Sequence, residues 1–77
     1  MFKYLYCIYS TEKINLCVYI FADSEKDAMS ASTKYNVKHL GIVWQCEYQE
    51  AIELGWKIDK DTITEKYAYA NLPYSIL

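Results

Sequence analysis

The stretch "YLYCIYSTEKINLCVYIF", residues 4–21, decides the fold, because two apolar runs flank a polar turn and this pattern predicts a β-hairpin. A hairpin at a protein surface normally alternates apolar and polar residues, with one face in the core and the other in water. This hairpin does not alternate. Its even-numbered and odd-numbered positions are both apolar or aromatic, so both faces of the hairpin need a cover.

The length of the turn assigns the strand residues to two faces. A turn of odd length places residues of the same parity opposite each other, whereas a turn of even length would mix the two sets. The even-numbered set is the more aliphatic, and we expect it to lie under a helix. Its members are Phe2, Tyr4, Tyr6, Ile8, Leu16, Val18 and Ile20. The odd-numbered set carries a lysine and polar-tipped side chains, and we expect it to meet water or a partner. Its members are Lys3, Leu5, Cys7, Tyr9, Cys17, Tyr19 and Phe21.

Two covers for the odd-numbered face fit a chain of this length. The first is the C-terminal segment of the chain itself. Its candidate contacts are Tyr67, Tyr69, Leu72 and Tyr74. The second is another molecule, because exposed apolar patches larger than a few hundred Å² usually mark interaction sites.

Local signals divide the first half of the chain into strands at residues 2–9 and Leu16–Ala22, followed by a helix. Ser24 is a good helix N-cap, and Asp27 three residues later completes an approximate capping box. A narrow face of small residues predicts close packing of this helix on the sheet. That face consists of Ala28, Ala31, Ser32 and Tyr35.

The second half of the chain predicts a third strand around residues 42–44 and a short helix from Tyr48 that stops at Gly55. Alternation around Trp56 predicts a short fourth strand. Residues 62–77 fit either a strand or a short helix, because a capping-box pattern competes with strand-like alternation. The predicted fold class is α+β: a small, mainly antiparallel sheet beginning with a β-hairpin, one helix packed across it and a shorter second helix.

Composition excludes several classes of protein. The 77 residues are enough for a single compact domain, residues 1–77, and leave no room for a second core. No apolar run approaches the roughly 20 residues of a membrane span, and the N-terminus lacks a signal peptide, so we expect no membrane association and a cytoplasmic location. The net charge is −2, and all eight basic residues are lysines, which counts against nucleic-acid binding.

The sequence offers no catalytic or metal-binding constellation. Its three cysteines, Cys7, Cys17 and Cys46, lie in apolar stretches that raise a thiol pKa, and the single histidine is His39. None of these residues stands at the spacing of a zinc site. We therefore expect reduced structural thiols, no metal, no cofactor and no enzymatic activity.

Nine tyrosines are the most unusual feature of the composition. They fit a small core with hydroxyls that reach water, a stacking surface for nucleic-acid bases or a small ligand, or a protein interface. We favour the protein interface, because the chain lacks arginine and is acidic. A self-associating structural protein is a further alternative.

The predicted protein-binding residues lie on the odd-numbered face: Leu5, Tyr9, Tyr19 and Phe21. The partner would be a host protein or a second copy of the chain. A secondary candidate is an acidic helix face formed by Glu47, Glu50 and Glu53. In general character the chain is similar to many phage and mobile-element proteins, which implies a small non-enzymatic inhibitor or adaptor, for example an inhibitor of a host defence protein.

Overall fold

A computed structural model describes residues 2–10, 16–32 and 41–73. These residues form an antiparallel five-stranded sheet with two helices, which confirms the predicted α+β class. The strands are β1 (Tyr4–Ser10), β2 (Leu16–Ala22), β3 (Gly41–Glu47), β4 (Lys57–Ile58) and β5 (Tyr67–Asn71), in the spatial order β3-β1-β2-β5-β4. The helices are α1 (Glu25–Ser32) and α2 (Tyr48–Glu53), and a single 3₁₀ turn covers Lys60–Thr62.

The hairpin pairs in the predicted register. Ile8 lies opposite Val18 and Tyr6 opposite Ile20, so facing residues share parity. The predicted bounds of β2 are confirmed, whereas β1 begins two residues later than predicted and runs to Ser10. The turn itself, residues 11–15, lies outside the described residues.

The even-numbered face forms the first of two core clusters, and α1 packs on it as predicted. The buried members of this cluster are Tyr6, Ile8, Val18, Ile20, Ala22, Ala28 and Ala31. Small residues suit this position because they let the helix axis approach the sheet closely. The backbone N–H of Asp27 donates to Ser24 Oγ at 3.2 Å, which confirms the predicted N-cap. The predicted contact of Tyr35 lies outside the described residues.

The odd-numbered face forms the second core cluster, and its cover comes from the middle of the chain. The buried members are Phe2, Leu5, Phe21, Ala51, Trp56 and Ala68. Ala51 belongs to α2, and Trp56 follows that helix, so the buried part of this face is covered by a segment that the sequence did not predict as a cover. Phe2 was also assigned to the wrong face. It precedes β1, so the alternation of that strand does not govern its direction.

Backbone hydrogen bonds at its two ends hold α2 over the second face of the sheet. The Tyr48 N–H donates to the Lys3 carbonyl at 2.9 Å, which holds the start of α2 beside β1. Gly55 ends the helix as predicted, with a φ of 103° that favours glycine. The Trp56 N–H then donates to the Ala51 carbonyl at 3.0 Å and directs the indole towards the sheet.

The described part of the C-terminal segment forms a strand within the sheet and does not lie over a face, and the predicted contact of Tyr74 lies outside the described residues. β5 pairs with β2 through Tyr69 opposite Ile20, and on its other side it pairs with β4. Thr62 does not begin a helix. Its hydroxyl oxygen accepts the Tyr69 N–H at 2.9 Å, so the residue that begins the capping-box pattern of Thr62 and Glu65 supports β5 instead. An available edge of β2 therefore decided between the two local possibilities.

Candidate protein-binding surface

The structure separates the four predicted binding residues into two pairs. Leu5 and Phe21 are 0% exposed, because α2 and Trp56 cover them, and the expectation that they meet a partner is corrected. Tyr9 and Tyr19 are half-buried and remain accessible. The predicted face is thus divided: the end near α2 is core, and the end near Tyr9 and Tyr19 keeps contact with solvent.

Three aromatic side chains gather at the accessible end of this face. The ring of Tyr19 lies 4.8 Å from that of Trp56, between centroids, and 6.4 Å from that of Trp44. The two indoles lie 6.1 Å apart in an edge-on arrangement. Such tilted aromatic pairs contribute beyond the area that they bury. We call Tyr19, Trp44 and Trp56 the aromatic cluster.

The sheet register explains how distant residues form the aromatic cluster. Cys7 lies between Tyr19 of β2 and Trp44 of β3, so these two side chains share one face of the sheet. Trp56 approaches from the end of α2 and is only 6% exposed, whereas Trp44 is 40% exposed. Trp56 therefore anchors the cluster in the core, and Trp44 presents it to solvent.

The neighbouring edge of the sheet is also apolar. β3 is the first strand in the sheet order, and no strand within residues 2–10, 16–32 and 41–73 pairs with its outer side. Its register with β1 shifts between Cys7 and Ile8, which leaves Val43 without a facing residue and 56% exposed. Val43 and Trp44 together place an exposed apolar pair on a strand edge that no described strand pairs with.

The two edges of the sheet differ in their protection. Natural edge strands are usually short, charged or interrupted by proline, which prevents pairing with other chains. β4, at the opposite edge, has two residues and carries Lys57. β3 has seven residues and contains neither lysine nor proline, with its only charge at Glu47. The register shift at Val43 is the one protective feature of β3, so among the described residues the edge of β3 is the longer and less protected of the two.

Sequence reasoning missed Val43 and Trp44 as surface residues. The run "GIVW" at residues 41–44 shows no alternation and is typical of a strand buried on both faces. The register shift changes this arrangement: Ile42 packs against the first core cluster, and Trp44 turns to the second face. The run without alternation at residues 41–44 therefore fits two structures, a strand buried on both faces and a strand with a register shift, and the sequence alone does not choose between them.

The predicted acidic residues Glu47, Glu50 and Glu53 are all exposed, as expected. Glu47 is the last residue of β3 and adopts an extended conformation, so only the other two belong to α2. Glu53 accepts a long hydrogen bond of 3.5 Å from Gln49 Nε2. This acidic face stays a secondary prediction.

A groove of about 370 Å³ lies on the α2 side of Trp56. Its apolar lining includes Tyr48, Ile52 and Ile58, and two lysines, Lys57 and Lys60, also line it. Trp56 thus separates two solvent-accessible regions, the groove and the aromatic cluster.

The fold distributes the described tyrosines over both faces of the sheet. Tyr6 is buried under α1, and Tyr48 packs in the second core cluster, 5.5 Å from the ring of Phe21. Tyr67 and Tyr69 stack on each other beside the first core cluster, and the Tyr69 hydroxyl donates to the Ala31 carbonyl at 3.3 Å. These tyrosines therefore do not form a single open stacking surface.

Two groups at the aromatic cluster, the Cys7 thiol and the Tyr19 hydroxyl, keep their protons at high pH. Burial, and then the hydrogen bond with Cys17, raises the pKa of the Cys7 thiol from 9.0 to about 12. The hydrogen bond with Cys17, and then burial, raises the pKa of the Tyr19 hydroxyl from 10.0 to about 12. A thiol with so high a pKa is not an activated nucleophile. His39, the candidate partner for Cys–His catalysis, lies outside the described residues.

These raised pKa values predict a loss of stability in alkali. Because each group has a higher pKa in the folded state, its contribution is complete below the unfolded pKa and is lost as the pH rises through the folded pKa. We expect the free energy of unfolding, measured by urea titration, to fall between pH 9.0 and about 12. Cys7→Ala should show a shallower fall. An equal fall in both proteins would contradict the role given to Cys7.

Two further properties concern the described part of the chain. No group of three or more His, Cys, Asp or Glu side chains comes together there in a way that could hold a metal ion. Neither of its helices has the length and apolar character needed to cross a membrane. Comparison of the chain with profiles of known protein families, with curated protein sequences and with solved structures finds no match.

Proposed function

We propose that this chain acts by binding another protein, and that its contact surface is the outer edge of β3 together with the exposed part of the aromatic cluster. One observation carries the proposal: a seven-residue edge strand bears the exposed apolar pair Val43 and Trp44 and lacks lysine and proline. Natural monomers avoid such edges because they pair with other chains.

The contact proposed here is strand addition. A partner segment in an extended conformation would pair with the backbone of β3, and its side chains would contact Trp44 and Tyr19. Main-chain hydrogen bonds supply affinity in this mode of recognition, and side-chain pockets supply specificity. Interface energy usually concentrates in a few aromatic anchors, and Trp and Tyr are the residue types enriched at such positions. Tyr9, on the same face as Tyr19, belongs to the proposed contact.

The partner is either a second copy of the chain or a different protein. Two copies of β3 paired antiparallel would place Trp44, the central residue of Gly41–Glu47, near the twofold axis and keep the two Glu47 carboxylates apart. A different protein would fit the role of a small inhibitor or adaptor of a phage or mobile element. That role is supported by composition alone: a short, acidic chain in which lysine is the only basic residue type.

Site-specific cross-linking tests the contact surface. A photoreactive amino acid replaces Val43 in one variant and Ile63 in a control variant, because Ile63 is similarly exposed, at 45%, but lies away from β3. We expect a cross-link from position 43 only, either to a second copy or to a different protein that mass spectrometry then identifies. Equal cross-linking from both positions would contradict the proposed surface.

Trp44→Ala then measures the contribution of the aromatic anchor to binding of the cross-linked partner. Truncating an anchor typically costs ~2 kcal/mol or more, which corresponds to a Kd roughly thirtyfold higher. Ile63→Ala should leave the Kd unchanged. Circular dichroism of both variants ensures that the Kd refers to folded protein. An unchanged Kd for folded Trp44→Ala would remove the aromatic cluster from the interface.

A further inference from the structure

Two cysteines of the hairpin lie side by side on one face of the sheet. Cys7 faces Tyr19 and Cys17 faces Tyr9 in the β1–β2 register, so the cysteines are diagonal neighbours on adjacent strands. Their Sγ atoms are 3.2 Å apart, although 10 positions separate the residues in sequence. A disulfide bond is about 2.05 Å long, so the sulfurs need to approach each other by only ~1 Å.

We propose that Cys7 and Cys17 form a dithiol site that reacts with small-molecule disulfides, such as oxidised glutathione, and closes to an intrachain disulfide. The contact between two thiols on paired strands carries this inference, and it does not rest on the proposed protein binding. The two sulfurs are already in contact in the folded hairpin, because the pairing of β1 with β2 holds them side by side.

The two thiols differ in their exposure to solvent, and we infer from this difference which of them reacts first. Cys17 is exposed and can meet a dissolved disulfide, whereas Cys7 is buried. The raised pKa of Cys7, about 12, also keeps this thiol protonated near neutral pH, and the thiolate is the reactive form. Cys17 therefore attacks first, and Cys7 resolves the intermediate.

The exchange takes place in two balanced steps. The Cys17 thiolate attacks one sulfur of oxidised glutathione, the glutathione S–S bond breaks, and one glutathione leaves as a thiolate with the bonding electron pair. Cys7 then gives its proton to solvent and attacks Cys17 Sγ, which expels the second glutathione thiolate. Overall, two cysteine thiols are oxidised, and one glutathione disulfide is reduced to two thiols.

Closure changes the environment of the aromatic cluster. The Cys17 thiol shares a hydrogen bond with the Tyr19 hydroxyl, and the Tyr19 ring packs on Trp56. A disulfide removes the thiol proton from this arrangement. We therefore expect closure to alter tryptophan fluorescence, which gives a signal in addition to chemical analysis.

The third cysteine provides an internal control. Cys46 lies opposite Leu5, on the other side of β1, and is half-buried. Cleavage after lysine separates all three cysteines, because Lys13 lies between Cys7 and Cys17, and Lys26 lies between Cys17 and Cys46. Peptide mapping therefore distinguishes every possible pairing of the thiols.

The test equilibrates the reduced, folded protein with mixtures of oxidised and reduced glutathione, traps free thiols by alkylation and maps the cleaved peptides. We expect a linked pair of Cys7 and Cys17 peptides in the wild type and in Cys46→Ser, and no intrachain disulfide in Cys17→Ser. The effective concentration of the pair should be at least ~10-fold higher in folded than in urea-unfolded protein, because a disulfide that fits the fold stabilises it.

Three results would overturn the proposal. The first is a linked peptide that contains Cys46, the second is mixed disulfides with glutathione that never close, and the third is an effective concentration no higher in the folded chain than in urea. Mapping the wild type and Cys46→Ser is decisive by itself, so the conclusion does not depend on the folding of Cys17→Ser.

Discussion

Phe21→Ala is expected to remove a large share of the stability of the isolated chain, although Phe21 lies on the face that sequence patterns assign to a partner. Its side chain is fully buried among Leu5, Ala51 and Trp56 and meets Tyr48 edge-on. Removing a buried phenylalanine side chain costs about 3–5 kcal/mol, through lost transfer energy and the cavity that remains. A chain of 77 residues is stabilised by only roughly 4–12 kcal/mol in total. The variant therefore loses a large share of its stability.

Urea unfolding followed by far-ultraviolet circular dichroism measures this loss. Tyr9→Ala is the matched control, because Tyr9 is on the same face but only half-buried. We expect a small shift of the urea midpoint for Tyr9→Ala and a large one for Phe21→Ala. If Phe21→Ala kept the wild-type midpoint and lost only affinity for a partner, the face would be covered by a second molecule after all.

Trp56→Ala has the second large expected effect, because this one side chain closes the second core cluster. It is 6% exposed, packs on Tyr19 at 4.8 Å and belongs to the loop that follows α2. Truncation of a buried tryptophan costs about 3–5 kcal/mol. We also expect α2 to lose its attachment, since Ala51 is its only buried residue.

Trp44→Ala is the matched control for Trp56→Ala, because both variants lose the same side chain. Trp44→Ala removes the same side chain from a position that is 40% exposed, so its effect on the free energy of unfolding should be several-fold smaller. Urea titration of both variants gives the comparison. Equal destabilisation would mean that Trp44 is part of the core, and the proposed binding surface would then lose its main exposed residue.

The non-alternating hairpin has a physical explanation in this fold. Each face of the β1–β2 pair is covered by a helix with small buried residues: Ala28 and Ala31 on one side, Ala51 on the other. The second helix is the shorter, with six residues against eight, and among the described residues it does not reach the end of the sheet near Tyr19, which stays half-exposed. That end is where the aromatic cluster and the two cysteines lie.

Part of the candidate site was accessible from the sequence. Parity placed Tyr9, Tyr19 and the two hairpin cysteines on one face, and the register confirms this placement. Parity did not separate them from Leu5 and Phe21, which share the face but lie under α2. Trp44 was recognised as a strand residue, yet its exposure depends on the register shift in β3.

The elements that the sequence determined by itself are those governed by local interactions. Two apolar runs around a polar turn predicted the hairpin, and a turn of odd length predicted its register. The Ser24 hydroxyl caps α1 by accepting a hydrogen bond from the Asp27 N–H three residues later. Gly55 ends α2 because it adopts a positive φ. Each of these signals acts over a few residues, or across one tight hairpin, so the chain carries it before any tertiary contact forms.

Tertiary structure decided the features that depend on which distant segments meet. Residues 62–71 satisfied both a helical and a strand pattern locally, and the free edge of β2 selected the strand through pairs such as Ile20 with Tyr69. A contact between distant segments also decided the cover of the second face. The Tyr48 N–H donates a hydrogen bond to the Lys3 carbonyl, which holds α2 beside β1 and places Trp56 against Phe21. Local periodicity states only that a face must be buried. The contacts available in the whole fold determine what buries it, because burial energy depends on area and not on the identity of the partner.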